Sequence, residues 1–231
     1  MQIIYHPSFL VYDKEDINKD KVMKRIETMG RLCYLSDSTG DPAKFIRGIV
    51  TRGHGSVLEH HSITLIMTVD RAIQLELVRH RISSYSAQST RYVKYNDKKE
   101  ASFIMPVQIA MAEDERVRDI WKQGCETVEG FYDMLTGFGC KPETSRSLLA
   151  NCLSSKVGIT KNIRAWRETL ALRCEEHAHP DMKLSMIPVL LCFKEYLPDL
   201  FYDIPYDEEF WNTQPYGTDW RTFCDNERGT I

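Results

Sequence analysis

Ser62-Ile63-Thr64-Leu65-Ile66-Met67-Thr68-Val69 reads plainly as a β-strand, and what flanks it decides the fold class. Its Ile, Thr and Val residues are β-branched and suit a pleated surface, although the inside–outside alternation is imperfect. In both directions from it the apolar spacing is helical. Asp20 to Tyr34 reads as a helix. Asp41-Pro42 supplies a cap and a first-turn proline for a second helix, which should stop near Gly53. Arg71 to Arg79, Glu113 to Leu135, Pro142 to Leu153 and Thr160 to His177 also read as helical. Pro188, within the next apolar stretch, begins or kinks a last helix. Many helices, few strands and no regular βαβ rhythm imply an α+β domain, a small twisted sheet flanked by helices.

The chain has 231 residues, roughly one and a half typical domains, so one large domain over 1–231 is the simplest organisation. Hydrophobic residues at 42% and charged residues at 27% are ordinary globular proportions. A formal net charge of −3 excludes a bulk polybasic binder of nucleic acid or membrane, so any anion site must be a local cluster of arginines. No apolar stretch reaches the ~20 residues that span a bilayer. The start, Met1 to His6, lacks the basic-then-apolar pattern of a secretory signal. Seven scattered cysteines without a CxxC pair suggest a reducing interior, and a cytoplasmic location is expected. The segment 199–231 carries eight acids and two bases, a net −6, which leaves +3 for the preceding 198 residues. It also holds eight aromatic residues, from Phe201 to Phe223, and should therefore wrap the fold or a neighbouring subunit.

Three stretches could carry chemistry. Arg79-His80-Arg81-Ile82-Ser83-Ser84-Tyr85-Ser86-Ala87-Gln88-Ser89-Thr90-Arg91-Tyr92 combines three arginines with a histidine and several hydroxyls. Guanidinium forks grip phosphate bidentately and hydroxyls add short neutral contacts; the plain alternative is a solvated basic turn. His54-Gly55-Ser56-Val57-Leu58-Glu59-His60-His61 offers three histidines and a carboxylate to a metal, or else a loop with Ser56 and Glu59 at capping-box spacing. On a helix from Lys161 onward, Asn162, Trp166, Thr169 and Arg173 share one side, with His177 a turn beyond. Arg173 could there pair structurally with Glu176 or Glu168. Neither GxGxxG nor GxxxxGK[ST] occurs, so a dinucleotide would not be held by the Rossmann route.

Arg79-His80-Arg81, seven intervening residues, Ser89 and then Arg91-Tyr92 together resemble the signature of flavin-dependent thymidylate synthases. His54-Gly55-Ser56 through Glu59-His60 resembles the segment upstream of that signature. Asn162 and Arg164 to Arg167, continuing through Leu172-Arg173 and Glu176 to Ala178, resemble the family's C-terminal active-site helix. The resemblance covers about residues 52–95 and 143–182.

It implies that FAD is held by His54, Ser56, Arg79, His80, Arg81, Ala87, Asn162, Ile163, Arg164 and Glu168. It places dUMP against Glu76, Arg79, the run Ala87, Gln88, Ser89, Thr90 and Arg91, then Arg146 and Arg173, with Arg173 activating the pyrimidine. NADPH and methylenetetrahydrofolate are the implied co-substrates. The implied assembly is a homotetramer with active sites where subunits meet, so these segments need not converge within one chain. Two positions depart from the family's usual pattern. Ala87 stands where a long polar residue is usual, and Gln88 next to it could compensate. Glu168 stands where Asn or His is frequent, and needs a cation such as Arg164 or Arg167. No resident metal, nucleic acid or membrane is expected. The competing enzyme would be a metal-dependent nucleotide phosphohydrolase using His54, Glu59, His60 and His61; the competing non-enzyme, a nucleic-acid module built on the arginine cluster.

Overall fold

The computed structural model describes residues 1–33, 35–37, 40–95 and 101–225. Its strands are β1 (Gln2–Ile4), β2 (Ser8–Val11), β3 (Ser62–Asp70), β4 (Ser84–Ala87), β5 (Ser102–Ile104) and β6 (Ser154–Asn162). Between and after them run α1 (Lys19–Leu32), α2 (Pro42–Thr51), α3 (Gly55–Leu58), α4 (Arg71–Leu77), α5 (Val107–Ala110), α6 (Glu115–Gly137), α7 (Pro142–Ser145), α8 (Ile163–Arg173), α9 (Pro180–Tyr196), α10 (Pro198–Phe201) and α11 (Glu208–Thr213). The fold is mixed α/β, with small sheets flanked by helices.

Helix starts follow the side chains available to cap them. Asp41 accepts from the Ala43 amide ahead of Pro42, and Asp70 accepts from Ile73 at 2.8 Å at the head of α4. Asn162 accepts from Ala165 at 2.8 Å at the head of α8. The expected end of the first helix at Tyr34 lies outside the described residues. Pro188 does not begin a helix: α9 starts at Pro180 and continues through it.

The main sheet has the order β2-β3-β6-β4, and each of its three pairings is antiparallel. β3 pairs with β6 along its whole length, from Ser62 opposite Asn162 to Asp70 opposite Ser154. This corrects two helical expectations. Pro142 to Leu153 is helical only over α7 and a short 3₁₀ turn at Arg146–Leu148, and Thr160–Asn162 belongs to a strand. β6 alternates as a strand should, burying Ser155, Val157, Ile159 and Lys161, but two of those four are polar, which blunts the apolar signal. β1 and β5 form a separate parallel pair.

The largest core packs α8 and α9 against β3 and β6, with Trp166 and Phe193 both fully buried and their rings edge to face at 5.6 Å. Phe201, Trp211, Trp220 and Phe223 of the acidic segment join this same core, so its described part wraps its own fold. Its last residues, 226–231, lie outside the described set. Among the described residues no helix is long and apolar enough to cross a membrane.

Candidate active site

β6 puts the two chemistry-bearing segments side by side. Along one edge it pairs with β4, which lies within the arginine-rich stretch, Ser84 opposite Thr160 and Ala87 opposite Val157. At its end it turns directly into α8, where the Ile163 amide donates to the His61 carbonyl at 3.0 Å. Trp166 and Thr169 face the sheet and are buried, Trp166 donating its indole N–H to the Ile63 carbonyl at 2.9 Å. Arg173, one turn past Thr169 on that side, emerges at the C-terminal end of α8. His177 lies beyond the helix and is exposed.

There Arg173 meets His80 and Glu76. Its Nε–H donates to His80 Nε2 at 2.7 Å, and Nη1 donates to Glu76 at 3.0 Å. Neither Glu176 nor Glu168 is its partner. The acid comes from α4, 97 residues earlier in the chain. A histidine nitrogen can accept only when unprotonated, so His80 is neutral with its proton on Nδ1. Burial pulls its pKa down to about 4, and the charges of Lys161 and Arg173 push the same way. The guanidinium has five N–H donors; fixing two of them sets its plane and leaves the others for a ligand.

Arg79 and Arg81 are exposed and make no ion pair among the described residues. The next residue, Ile82, sits at φ 61°, a left-handed conformation that β-branched residues rarely adopt. Further along, Thr90 is buried and accepts from Arg146 Nη1 at 3.2 Å, which joins two more of the expected dUMP residues. Ser89 Oγ accepts only the Arg91 amide, at 3.3 Å, among the described residues. Arg91 is exposed, near Glu143 at 3.9 Å. Ala87 is exposed, whereas the Gln88 side chain bonds Tyr95 and the Lys156 amide, so Gln88 is committed to the sheet.

A third group surrounds a cavity of about 350 Å³ whose lining includes His54, Ser56 and Arg164. Arg164 is held by Glu59 at 2.9 Å and by Glu168 at 3.0 Å, which supplies Glu168 with its neutralising cation. Arg167 instead forks onto Asp203. Gly55 lies close under Arg164, since a Cβ there would stand 3.0 Å from its Cδ. The Asn162 side-chain oxygen is spent on the helix cap, and Ile163 has its side chain buried in the core and its amide donated to the His61 carbonyl.

The histidine-rich stretch does not form a ligand set. His61 is buried, bonded through Nε2 to the Asp16 carbonyl at 2.8 Å and through Nδ1 to Arg25, while His60 is exposed. Among the described residues no three His, Cys, Asp or Glu side chains gather closely enough to hold a metal ion. The capping box is also absent: α3 begins at Gly55 with no side-chain cap, and Glu59 turns to Arg164.

Two residues of this site carry no motif that marks them. Tyr85 and Lys161 stand behind His80, the tyrosine hydroxyl 2.8 Å and the ammonium 3.5 Å from its carbonyl oxygen.

The Thymidylate synthase complementing protein family model matches residues 17–199. A flavin-dependent thymidylate synthase of Mycobacterium tuberculosis is 31% identical over 199 residues, covering 77% of this chain and 78% of that one. One of Geobacter sulfurreducens is 33% identical over 183 residues, covering 75% and 78%. Among solved structures, a UMP/dUMP methylase PolB from Streptomyces cacaoi, bound with 5-Br UMP, has the same fold. It has a TM-score of 0.71 and 18% identity, over 87% of this chain and 95% of that one. The chain therefore belongs to the flavin-dependent thymidylate synthase family.

Proposed function

We propose that this enzyme methylates dUMP reductively to dTMP, with methylenetetrahydrofolate as the carbon donor and NADPH-reduced FAD as the hydride source. The observation that carries the reading is Arg173, held by His80 and Glu76 with donors to spare. Uracil C5 is a poor nucleophile. To attack the methylene carbon it needs negative charge held on the ring, and a fixed guanidinium at the ring edge stabilises that charge without a covalent bond. Arg146, braced by Thr90, and Arg91 are suited to the nucleotide's phosphate, with Ser89 as a neutral donor beside them. Glu76 accepts from the nucleotide as well as holding Arg173.

The residues present fit FAD. Two unpaired guanidiniums, Arg79 and Arg81, match a pyrophosphate, and the cavity bounded by His54, Ser56 and Arg164 offers polar groups above a glycine floor. When bound and reduced by NADPH, the flavin would supply hydride to the pyrimidine, the two electrons by which the transferred methylene becomes methyl. Ala87 contributes through its main chain, and Glu168 acts through Arg164, which it orients.

We also infer a homotetramer with active sites at subunit interfaces. α6 supports it: Ile120, Phe131, Met134 and its cap Phe138 are 53–86% exposed and recur at helical spacing along one face.

The test is direct. Purified protein supplied with FAD, NADPH, methylenetetrahydrofolate and dUMP should show a flavin absorption spectrum and form dTMP, read by mass spectrometry. Protein that takes up no flavin, or that takes it up and forms no dTMP, overturns the reading. Bound zinc with phosphate release would favour the hydrolase.

A further inference from the structure

Lys161 is a cation in an apolar place. β6 turns Val157 and Ile159 into the core, and Lys161, next in that alternation, is 2% exposed. Buried ammonium groups normally find a carboxylate. Lys161 pairs with none among the described residues. Its Nζ donates to Thr169 Oγ1 at 3.1 Å and reaches the His80 carbonyl at 3.5 Å. The rings of Tyr85 and Trp166 lie 5.5 and 5.6 Å from it, which offsets part of the lost hydration. Burial still pulls the ammonium down to about 8. An apolar side chain of the same volume would carry no such desolvation cost, so stability alone does not explain a lysine here.

What it touches suggests what it does. The His80 carbonyl accepts from the Ser83 hydroxyl at 2.9 Å and from the Lys161 ammonium, and it lies 2.8 Å from the Tyr85 hydroxyl, whose one proton it shares with the Leu77 carbonyl at 2.6 Å. They pin the main chain just before the left-handed turn at Ile82. Two residues of α8 close the circuit: Thr169 holds the ammonium, and one turn later Arg173 takes the His80 imidazole. The groups that face His80 are Lys161 from β6, Arg173 from α8 with Glu76 of α4 behind it, and the Tyr85 hydroxyl from β4. Protonating the imidazole would put a third cation beside Lys161 and Arg173, with Glu76 bonded to Arg173 and the charge of Glu168 felt at Lys161.

We propose that Lys161 is a positioning residue: its buried ammonium anchors the His80 main chain and keeps the imidazole an acceptor, so that His80 aims Arg173 at the nucleotide. The effect on catalysis rests on the dUMP reading above, whereas the effect on His80 does not.

The experiment is an NMR titration of the histidine ¹⁵N resonances in the FAD-loaded enzyme, wild type against Lys161→Met. Methionine keeps the volume and removes the charge. The variant should titrate His80 at a pH about one unit higher, with the acid limb of kcat/KM for dUMP displaced in the same direction. His80 titrating alike in both proteins overturns the proposal, whether or not dTMP is formed. A displaced His80 titration in a protein that makes no dTMP would leave the positioning role standing and sink the dUMP reading alone. Should Lys161→Met fail to fold, the wild type supplies the second measurement. With ¹³C-labelled lysine, the His80 resonances must show an inflection at the pH where Lys161 titrates, and its absence overturns the proposal.

Discussion

Arg173 Nε–H points at His80 Nε2 across 2.7 Å, so the last residue of α8 is oriented by the middle residue of Arg79-His80-Arg81. The two lie 93 positions apart, and β6 joins them, pairing with the strand that follows His80 and running into the helix that ends at Arg173.

Arg173→Ala removes one preorganised donor to the developing charge, a loss of about 3–4 kcal/mol, or about 10²–10³ in rate. The variant should lose most dTMP formation and bind dUMP more weakly. It should still load FAD and accept hydride from NADPH, because, of the residues assigned to FAD, only His80 is bonded to Arg173. Arg173→Lys should rescue little, since one ammonium cannot reach His80 and Glu76 in two directions and still face the substrate. The ion pair with Glu76 makes a purely structural role the rival explanation. Melting temperature and turnover of Arg173→Ala, measured together, decide it: a destabilised protein with near-normal turnover per folded subunit would overturn the catalytic role.

Much of this site is legible in the chain because its charged residues cluster locally: His80 and Glu76 share one stretch, Arg164 and Arg173 one helix. β6 is harder to read. Its core-facing positions include Ser155 and Lys161, so the period-two pattern is broken by the very lysine that backs His80. Spacing on α8 places Arg173 correctly beyond Thr169 but cannot choose its acid, because Glu168 and Glu176 are near in sequence and Glu76 only in space. Likewise a histidine count cannot separate His61, turned inward to Asp16, from His54 at the cavity.

Ser89 should act as a ligand and not as a nucleophile. Its hydroxyl takes the Arg91 amide, and no base reaches it among the described residues. Ser89→Ala should weaken dUMP binding roughly tenfold, the value of one neutral hydrogen bond of about 1.4 kcal/mol. Isothermal titration of dUMP, run beside flavin oxidation by dUMP and folate, checks this. Abolished oxidation with intact dUMP affinity would contradict it. Cys174, adjacent to Arg173, is fully buried, and burial pushes its thiol well above the usual range, so Cys174→Ala should remain active.

Asp70 gives a prediction about pH. It caps α4 through Ile73, but burial, helped by the charge of Asp181, raises its carboxyl to about 6 from 3.8. Between those values the folded chain holds a proton that the unfolded chain has released. The favourable contribution is complete below 3.8 and is lost as pH rises through about 6. Asp70→Asn keeps a cap without the charge. Relative to wild type it should gain on the order of 2 kcal/mol between pH 4 and pH 8. Urea unfolding at both values measures the difference, and a gain that does not grow with pH would show that Asp70 is charged without penalty.

The proposed assembly makes a prediction about complementation. If Ser56 and Arg173 of different subunits serve one site, a variant inactivated at Ser56 and Arg173→Ala each spoil every site in their own homotetramer. Mixed subunits then recreate some sites in which both residues are intact. Dissociating and reassociating the two inactive proteins should restore partial dTMP formation, which neither shows alone. The stripe on α6 offers an independent handle. Ile120 is 70% exposed and Phe131 53%, too much apolar surface on one face for a helix that meets only water. Ile120→Glu with Phe131→Glu places two carboxylates in that face, and light scattering should report a smaller species. Its activity should fall with its size while the helical circular dichroism of each subunit is kept. A monomer that retained full turnover would refute the shared sites, whatever its effect on the stripe.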